Sequence, residues 1–365
     1  MNHVPVSIRR PIISSADEVI AEAASGRMVI LLDDEDHENK GDLIIPAQFA
    51  TADAVNFMAR YGRGLICLAL TSSRVQKLGL YLAVRSPKTK AEMALTQPIE
   101  ARDGVTTGIS AADRARTIAV AVGAETKASD IVSQGHILPL CAQDGGTLAR
   151  PGHTEAAVDL ARLAGLIPAG VICEMTNEDG TMARLQDLAA VSRQHGIKLG
   201  TIADLVEYRH RTEKLVEQIA ISKINHPMFG EWNLSVYRDK VEGGEHLALV
   251  KGDLVHDRSP ALVNLHFVDA ISDLFLTHAD EFGSGMRQIL HEGRGVVLLI
   301  GGEKQETLGA RVMAGYPLTH RAPRHRDYCL CVQILRDISV EDVILTSKNE
   351  SVAASLEGYG LKVGY

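Results

Sequence analysis

The aliphatic run Met28-Val29-Ile30-Leu31 leads straight into Leu32-Asp33-Asp34-Glu35-Asp36-His37-Glu38-Asn39-Lys40-Gly41-Asp42-Leu43-Ile44, and this junction constrains the fold more than any other stretch. A short run of β-branched residues and leucine reads as a buried strand. Six of the ten residues from Asp33 to Asp42 are carboxylates, so the chain must leave the core there, and Gly41 permits a tight turn. Crowded acids repel one another unless a cation or a polar ligand shares them. Oxygen donors of this kind suit Mg²⁺ or Mn²⁺. On charge alone an acidic surface loop kept for solubility explains the stretch equally well. Basic, histidine and glycine elements further along the chain favour a site.

Strands and helices alternate downstream, which predicts an α/β (α+β layered) domain with a mixed sheet and flanking helices. Ser15 and Glu18 form a capping box for a helix ending at Gly26, and Thr51 to Tyr61 reads as a second helix. Gly64 to Leu70, Ala169 to Met175 and Lys198 to Ile202 read as strands, Leu185 to His195 as a helix, and residues 80–100 as a loop. Ser110 and Asp113 cap a helix whose buried face is Ala115, Ile118, Ala119 and Val122. Thr154 reads as the N-cap of a helix from Glu155 to Ala164, stopped by Gly165.

Several of these junctions carry chemistry. Thr106-Thr107 lies between Gly104 and Gly108, where hydroxyls beside flexible backbone suit a sugar or phosphate; an ordinary loop-to-helix start is the alternative. His136 sits on a glycine turn before a strand and by itself carries little weight. Arg150-Pro151-Gly152-His153-Thr154 places a guanidinium and an imidazole at a helix start, a ready anion site with a nitrogen donor for a metal. Glu174 interrupts an apolar strand. It is an acid/base candidate if half-buried and unremarkable if it faces solvent.

The 365 residues suffice for two globular domains, and the net charge of -8, with no basic stripe, argues against nucleic-acid binding. The first ten residues lack the apolar core of a signal peptide, and no run approaches a membrane span. The five cysteines have no paired metal spacing, and Cys67 and Cys173 read as buried thiols. A cytoplasmic protein with reduced cysteines is the expectation.

Asp34-Glu35-Asp36 through Glu38-Asn39 to Gly41-Asp42-Leu43, Gly104-Val105-Thr106-Thr107-Gly108 with Ser110 to Arg114, Gly152-His153-Thr154-Glu155-Ala156, and Asn177 to Arg184 together resemble the 3,4-dihydroxy-2-butanone-4-phosphate synthases of riboflavin biosynthesis. The likeness runs over about residues 5–210, interrupted around residues 80–100. It implies conversion of D-ribulose 5-phosphate to L-3,4-dihydroxy-2-butanone 4-phosphate plus formate, by metal-assisted enolisation, dehydration, rearrangement and loss of one carbon. It also implies Glu38 and His153 as ligands of Mg²⁺ (or Mn²⁺), and His136, Glu174 and Glu38 as catalytic residues. The substrate contacts implied are His37, Glu38, Asp42, Thr107, Arg150, Pro151, Gly152, His153, Thr154 and Glu174. Family members are homodimers with sites at the subunit interface, and the same is expected here. The chain departs from the family at His37, usually arginine, at Lys40, commonly glutamate, and at Ser86-Pro87-Lys88-Thr89-Lys90. A titratable imidazole at position 37 predicts weaker substrate binding at high pH than an arginine would give.

From Thr212 to Val216 a charged helical connector is expected, and then a second α/β domain over residues 211–365. Leu247 to Asp253 and Leu262 to His266 read as strands, and Tyr328 to Leu335 as a helix burying Cys329 and Cys331. This half resembles GTP cyclohydrolase II, most clearly at Asp327-Tyr328 and Gln333 to Asp337. That family holds zinc through cysteines spaced C-x10-C-x-C. The corresponding positions are Asp269, Asp280 and Phe282, with no cysteine between Cys173 and Cys329, and Gly301-Gly302-Glu303 replaces an arginine-glutamine-glutamate. The expectation is a retained fold without zinc or cyclohydrolase activity, serving dimer stabilisation, control of the first domain, or contact with other enzymes of the pathway. A bifunctional enzyme that also opens GTP is the alternative. A metal-dependent enolising enzyme acting on another pentose phosphate is a more distant one.

Overall fold

The computed structural model describes residues 13–33, 40–82, 94–268, 273, 279–301 and 323–364, with backbone alone at 94 and 279–281. Two compact units divide the chain, Met1–Arg209 and His210–Tyr365. In the first unit the strands are β1 (Val29–Leu32), β2 (Gly41–Pro46), β3 (Arg63–Leu70), β4 (Ala94–Leu95), β5 (Ile99–Ala101), β6 (Ile131–Ser133), β7 (Leu138–Cys141), β8 (Ala169–Met175) and β9 (Lys198–Thr201). Seven form one sheet in the order β4-β7-β3-β8-β2-β1-β9, and β5 pairs with β6 apart from it. The sheet is mixed, as the sequence predicts: β1 runs antiparallel to β2 and parallel to β9, and β8 lies antiparallel between β2 and β3.

The helices are α1 (Ala16–Ala24), α2 (Ala52–Phe57), α3 (Ser72–Lys77), α4 (Ala111–Val122), α5 (His153–Leu163), α6 (Leu185–His195) and α7 (Ile202–Thr212). They cover both faces, which is why β1 is apolar at every position. Val29 and Leu31 pack with Ile44, Ile172 and the α5 residues Ala156 and Leu160, while Ile30 and Leu32 pack with Leu43, Ile118 and Leu188 on the other side.

Local chemistry departs from the sequence reading at several points. Gly41 opens β2 instead of making a turn; Leu188 occupies the space a Cβ there would need. The helix expected to reach Tyr61 ends at Phe57, widens into a π turn over Met58–Gly62 and stops at Arg63, whose φ is 67°. Ala119 is exposed, and the inner face of α4 is Asp113, Thr117, Ile118, Ala121 and Val122. Gly152, not Thr154, caps α5, and Thr154 is buried within the first turn. Ala94–Leu95 and Ile99–Ala101 are strands inside the expected loop.

The second unit is built on another seven-stranded sheet, from β10 (Val216–His226), β11 (Gly230–Asp239), β12 (Glu245–Lys251), β13 (Ala261–Phe267), β14 (Gly295–Ile300), β15 (Asp342–Leu345) and β16 (Lys362–Gly364), in the order β10-β11-β12-β14-β13-β15-β16. The first three are an antiparallel meander, and β14, β13, β15 and β16 run parallel. The connector expected to be helical is not: α7 ends at Thr212, residues 213–215 carry no helix, and β10 begins at Val216. Helices α8 (Ala279–Glu292), α9 (His325–Asp337) and α10 (Glu350–Gly358) complete the unit, and α9 buries Cys329 and Cys331 as expected. Phe282 packs its ring on His266. Asp269, Gly302, Glu303 and the Asp280 side chain lie outside the described residues.

Candidate active site

Strand register brings two of the predicted residues, Asp42 and Glu174, together at one end of the first sheet. Asp42 of β2 is the direct partner of Glu174 on β8, so both side chains leave the sheet on the same face. Cys67 of β3 pairs with Ile172 on one side and Leu138 on the other. His136, two residues before Leu138, therefore lies toward the same end as Glu174, two residues after Ile172. On that face α5 packs against β8, β2 and β3, and its first residue, His153, brings Nε2 to 3.9 Å from Asp42 Oδ1 and 3.2 Å from Leu31 O.

The buried acid is Asp42, at 2% exposure, while Glu174 faces solvent, the second of the two alternatives its sequence position left open. Burial pushes the Asp42 carboxyl up to about 6. His153 beside it pulls the other way, and Glu174 and Asp33 add to the rise. The same surroundings push the Cys67 thiol up to about 12, first by burial and then by the Asp42 and Glu174 carboxylates. Burial likewise lifts Cys173 to about 12. Cys67 is only partly buried.

The Arg150–Thr154 segment carries the features of an anion site. Gly152 caps α5 without a side-chain bond to its first-turn N–H groups, which leaves a helix terminus open to an incoming anion. Arg150 is held from below by Glu155, fully buried, whose Oε1 lies 3.6 Å from Arg150 Nη1 and accepts the Gln143 N–H at 2.9 Å. One turn on, buried Asp159 accepts the Thr147 N–H and hydroxyl at 2.7 and 2.8 Å and pairs with Arg209 of α7 at 2.7 Å. Pro151 is exposed.

Two further predicted residues sit on a neighbouring lobe. Asp113 accepts the Thr106 N–H, the Thr106 hydroxyl and the Gly108 N–H, at 2.8 to 3.1 Å, and the Thr106 contacts hold its carboxyl below the usual range. The Thr106 hydroxyl is thus committed to the loop itself, and the neighbouring Thr107 is exposed. His136 pairs through Nδ1 with Glu100 Oε2 at 3.2 Å; among the described residues no hydrogen bond joins it to Asp42, Glu174 or His153. His37 and Glu38 lie outside the described residues.

Sequence reasoning missed Glu100, Glu155, Asp159 and Arg209. Glu155 and Asp159 were visible as carboxylates four apart on the same stripe as Ala156 and Leu160, where only paired acids survive burial. Glu100 was visible as a charge between Ile99 and Ala101 in a strand-length run.

The sequence matches the 3,4-dihydroxy-2-butanone 4-phosphate synthase family over residues 17–208 and the GTP cyclohydrolase II family over residues 217–364. It is 44% identical to a Photobacterium phosphoreum 3,4-dihydroxy-2-butanone 4-phosphate synthase, covering 96% of this chain and 98% of that protein. Identity to an Aquifex aeolicus riboflavin biosynthesis protein RibBA is 40%, over 96% and 91% of the two chains. The crystal structure of a two-domain 3,4-dihydroxy-2-butanone 4-phosphate synthase from A. baumannii matches with a TM-score of 0.77 at 41% identity, over 96% of this chain and 99% of that one. A 3,4-dihydroxy-2-butanone 4-phosphate synthase solved with two magnesium ions matches 55% of this chain and 98% of its own, with a TM-score of 0.52 at 36% identity. With its fold, its motifs and nearly its whole length shared, the chain belongs to the 3,4-dihydroxy-2-butanone 4-phosphate synthase family.

Proposed function

We propose that the first unit converts D-ribulose 5-phosphate to L-3,4-dihydroxy-2-butanone 4-phosphate and formate at the sheet end where Asp42, His153 and Glu174 meet. The observation that carries this reading is the placement of the buried Asp42 between Glu174 across the strand and His153 at the start of α5. Five carbons divide into a four-carbon phosphate and formate with no oxidant, so proton transfers are what the residues must manage. Asp42, with its carboxyl at about 6, can hold or release a proton near neutral pH, and the exposed Glu174 can take one from substrate. Arg150 and the open first turn of α5 fix the phosphate, which loses no bond.

An imidazole nitrogen and carboxylate oxygens are donors that suit a hard divalent cation, Mg²⁺ or Mn²⁺; among the described residues no three His, Cys, Asp or Glu side chains group to hold one, and Glu38 lies outside them. With Nε2 of His153 donating to Leu31 O, the other ring nitrogen carries the lone pair. His153 and Glu38 would hold the ion. When bound, it supplies polarisation of the substrate carbonyl and its neighbouring hydroxyl oxygens. A homodimer with sites at the subunit interface completes the reading.

In the second unit we read a GTP cyclohydrolase II fold without the chemistry, since no cysteine lies between Cys173 and Cys329 to make the thiolate site. Bifunctionality is the competing reading, favoured by the family match over residues 217–364.

Carbon NMR of labelled ribulose 5-phosphate with the purified full-length chain tests the first unit. Formate and a four-carbon phosphate must appear together and stop when Mg²⁺ is chelated; an isomerised pentose phosphate without formate rejects the reading. GTP turnover together with about one zinc per chain would overturn the reading of the second unit.

A further inference from the structure

Glu100 is the centre of β5, opposite Val132 of β6. Its neighbours Ile99 and Ala101 point into the core, so Glu100 must point the other way. The same strand fixes the backbone of His136. The Gln134 and Gly135 N–H groups donate to Pro98 O, and Ile99 and Ile137 exchange backbone bonds at 2.8 and 3.2 Å. Gln134 has φ 73°, and the Ile99 carbonyl fills the space a Cβ at Gly135 would need. The imidazole is therefore delivered to Glu100 by the backbone, whatever the two side chains contribute.

Glu100 Oε2 meets His136 Nδ1 at 3.2 Å. Oε1 is buried, without a hydrogen-bond partner among the described residues, and occupies the space where a Cβ at Gly108 would fall. Gly108 has φ 82° and gives its N–H to Asp113. The Thr107 loop, Glu100 and His136 thus form one packed unit. A carboxylate oxygen facing Nδ1 can accept a hydrogen bond from that nitrogen when it carries the ring proton, and the lone pair of a neutral ring is then on Nε2.

We propose that Glu100 is the positioning residue for His136: seated against Gly108, it accepts a hydrogen bond from Nδ1–H and thereby makes Nε2 the basic nitrogen available to the reaction. This rests on the proposed synthase reaction, for which the family resemblance implies His136 as a catalytic residue. The arrangement fixes both ring orientation and tautomer, as a carboxylate behind a working histidine does.

The test uses the full-length protein with Mg²⁺ and ¹⁵N-labelled histidine, the His136 signals being assigned by their loss in His136→Gln. In the native protein neutral His136 should be the Nδ1–H tautomer. Glu100→Ala should shift it toward Nε2–H and lower kcat roughly 10- to 100-fold with little change in KM, on the scale set by losing the carboxylate partner of a metal-binding histidine. Glu100→Gln keeps a carbonyl acceptor of the same size and should retain the Nδ1–H tautomer with intermediate kcat. It carries the same comparison if Glu100→Ala fails to fold. An Nε2–H tautomer in the native protein, or variants that leave tautomer and kcat unchanged per folded chain, overturns the proposal. The tautomer is read without turnover, so a native chain that makes no formate would reject the proposed reaction while the Glu100–His136 arrangement is still decided.

Discussion

Asp42 and Glu174 face one another across the β2–β8 ladder, one buried and one exposed to solvent. The pairing puts two carboxylates on one face of a sheet beside His153, and the like charge of Glu174 adds to the larger cost of burying the Asp42 carboxylate.

Removing that cost gives the first prediction. The folded-state pKa of Asp42, about 6, lies above the ordinary 3.8, so the folded chain binds this proton more tightly than the unfolded chain. The associated stability is fully present below pH 3.8 and is lost as pH rises through about 6, a difference of about 3 kcal/mol at 1.36 kcal/mol per pKa unit. In chelator-treated protein Asp42→Asn should raise Tm at pH 8 by several degrees, with the gain shrinking toward pH 4. The same variant should lose formate production. A Tm gain independent of pH would show that the carboxylate charge is not what the site stores.

Glu155 yields the second. Its buried carboxylate lies 3.6 Å from Arg150 and accepts the Gln143 N–H, so Glu155→Gln keeps a hydrogen-bond acceptor and drops the charge. Arg150 then loses about 1 kcal/mol of orientation, which converts to a roughly fivefold rise in KM with kcat nearly unchanged. Steady-state kinetics on ribulose 5-phosphate decide it, and a fall in kcat at constant KM would place Glu155 in the chemistry instead.

Much of this was legible in the residues. The capping box at Ser15 and Glu18, the helix over 185–195 and the strand over 169–175 follow local rules that tertiary packing leaves alone. Gly41 and Thr154 misled for one physical reason: each is a turn or cap former by its own chemistry, but here Leu188 demands a residue without a Cβ at 41, and burial takes Thr154 inside α5. The partnerships of His136 with Glu100 and of Asp159 with Arg209 span 36 and 50 residues. Contacts at such separation depend on strand register and on how the helices pack, which no local pattern encodes.

The Asp159–Arg209 pair supplies the third prediction. Both side chains are buried, and Arg209 also donates to Gly145 O at 2.9 Å. Arg209→Met leaves a buried carboxylate that still accepts from Thr147 and Arg162. The loss should therefore fall near about 3 kcal/mol, the low end for a broken buried pair. Adding Asp159→Asn should return part of it, because the stranded charge is gone. Urea unfolding of the four proteins of the cycle measures the coupling, and strictly additive losses would mean that the two groups act separately.

The last prediction concerns His246, buried on β12, whose Nδ1 accepts the Gly301 N–H at 3.1 Å. Burial holds its pKa below the ordinary 6.5, against the pull of Asp239 and Asp327. The folded second unit therefore resists protonating this ring while the unfolded chain accepts the proton freely. Its contribution to stability is present above pH 6.5 and is lost as pH falls from there through the depressed folded value. His246→Gln keeps an acceptor for Gly301 but cannot titrate, so it should flatten that part of the profile while costing stability at pH 8 for the packing it gives up. Thermal unfolding of both proteins between pH 8 and pH 5 is the measurement. Parallel curves would mean that the ring takes up its proton equally well in the fold and in the unfolded chain, with Asp239 and Asp327 cancelling the effect of burial.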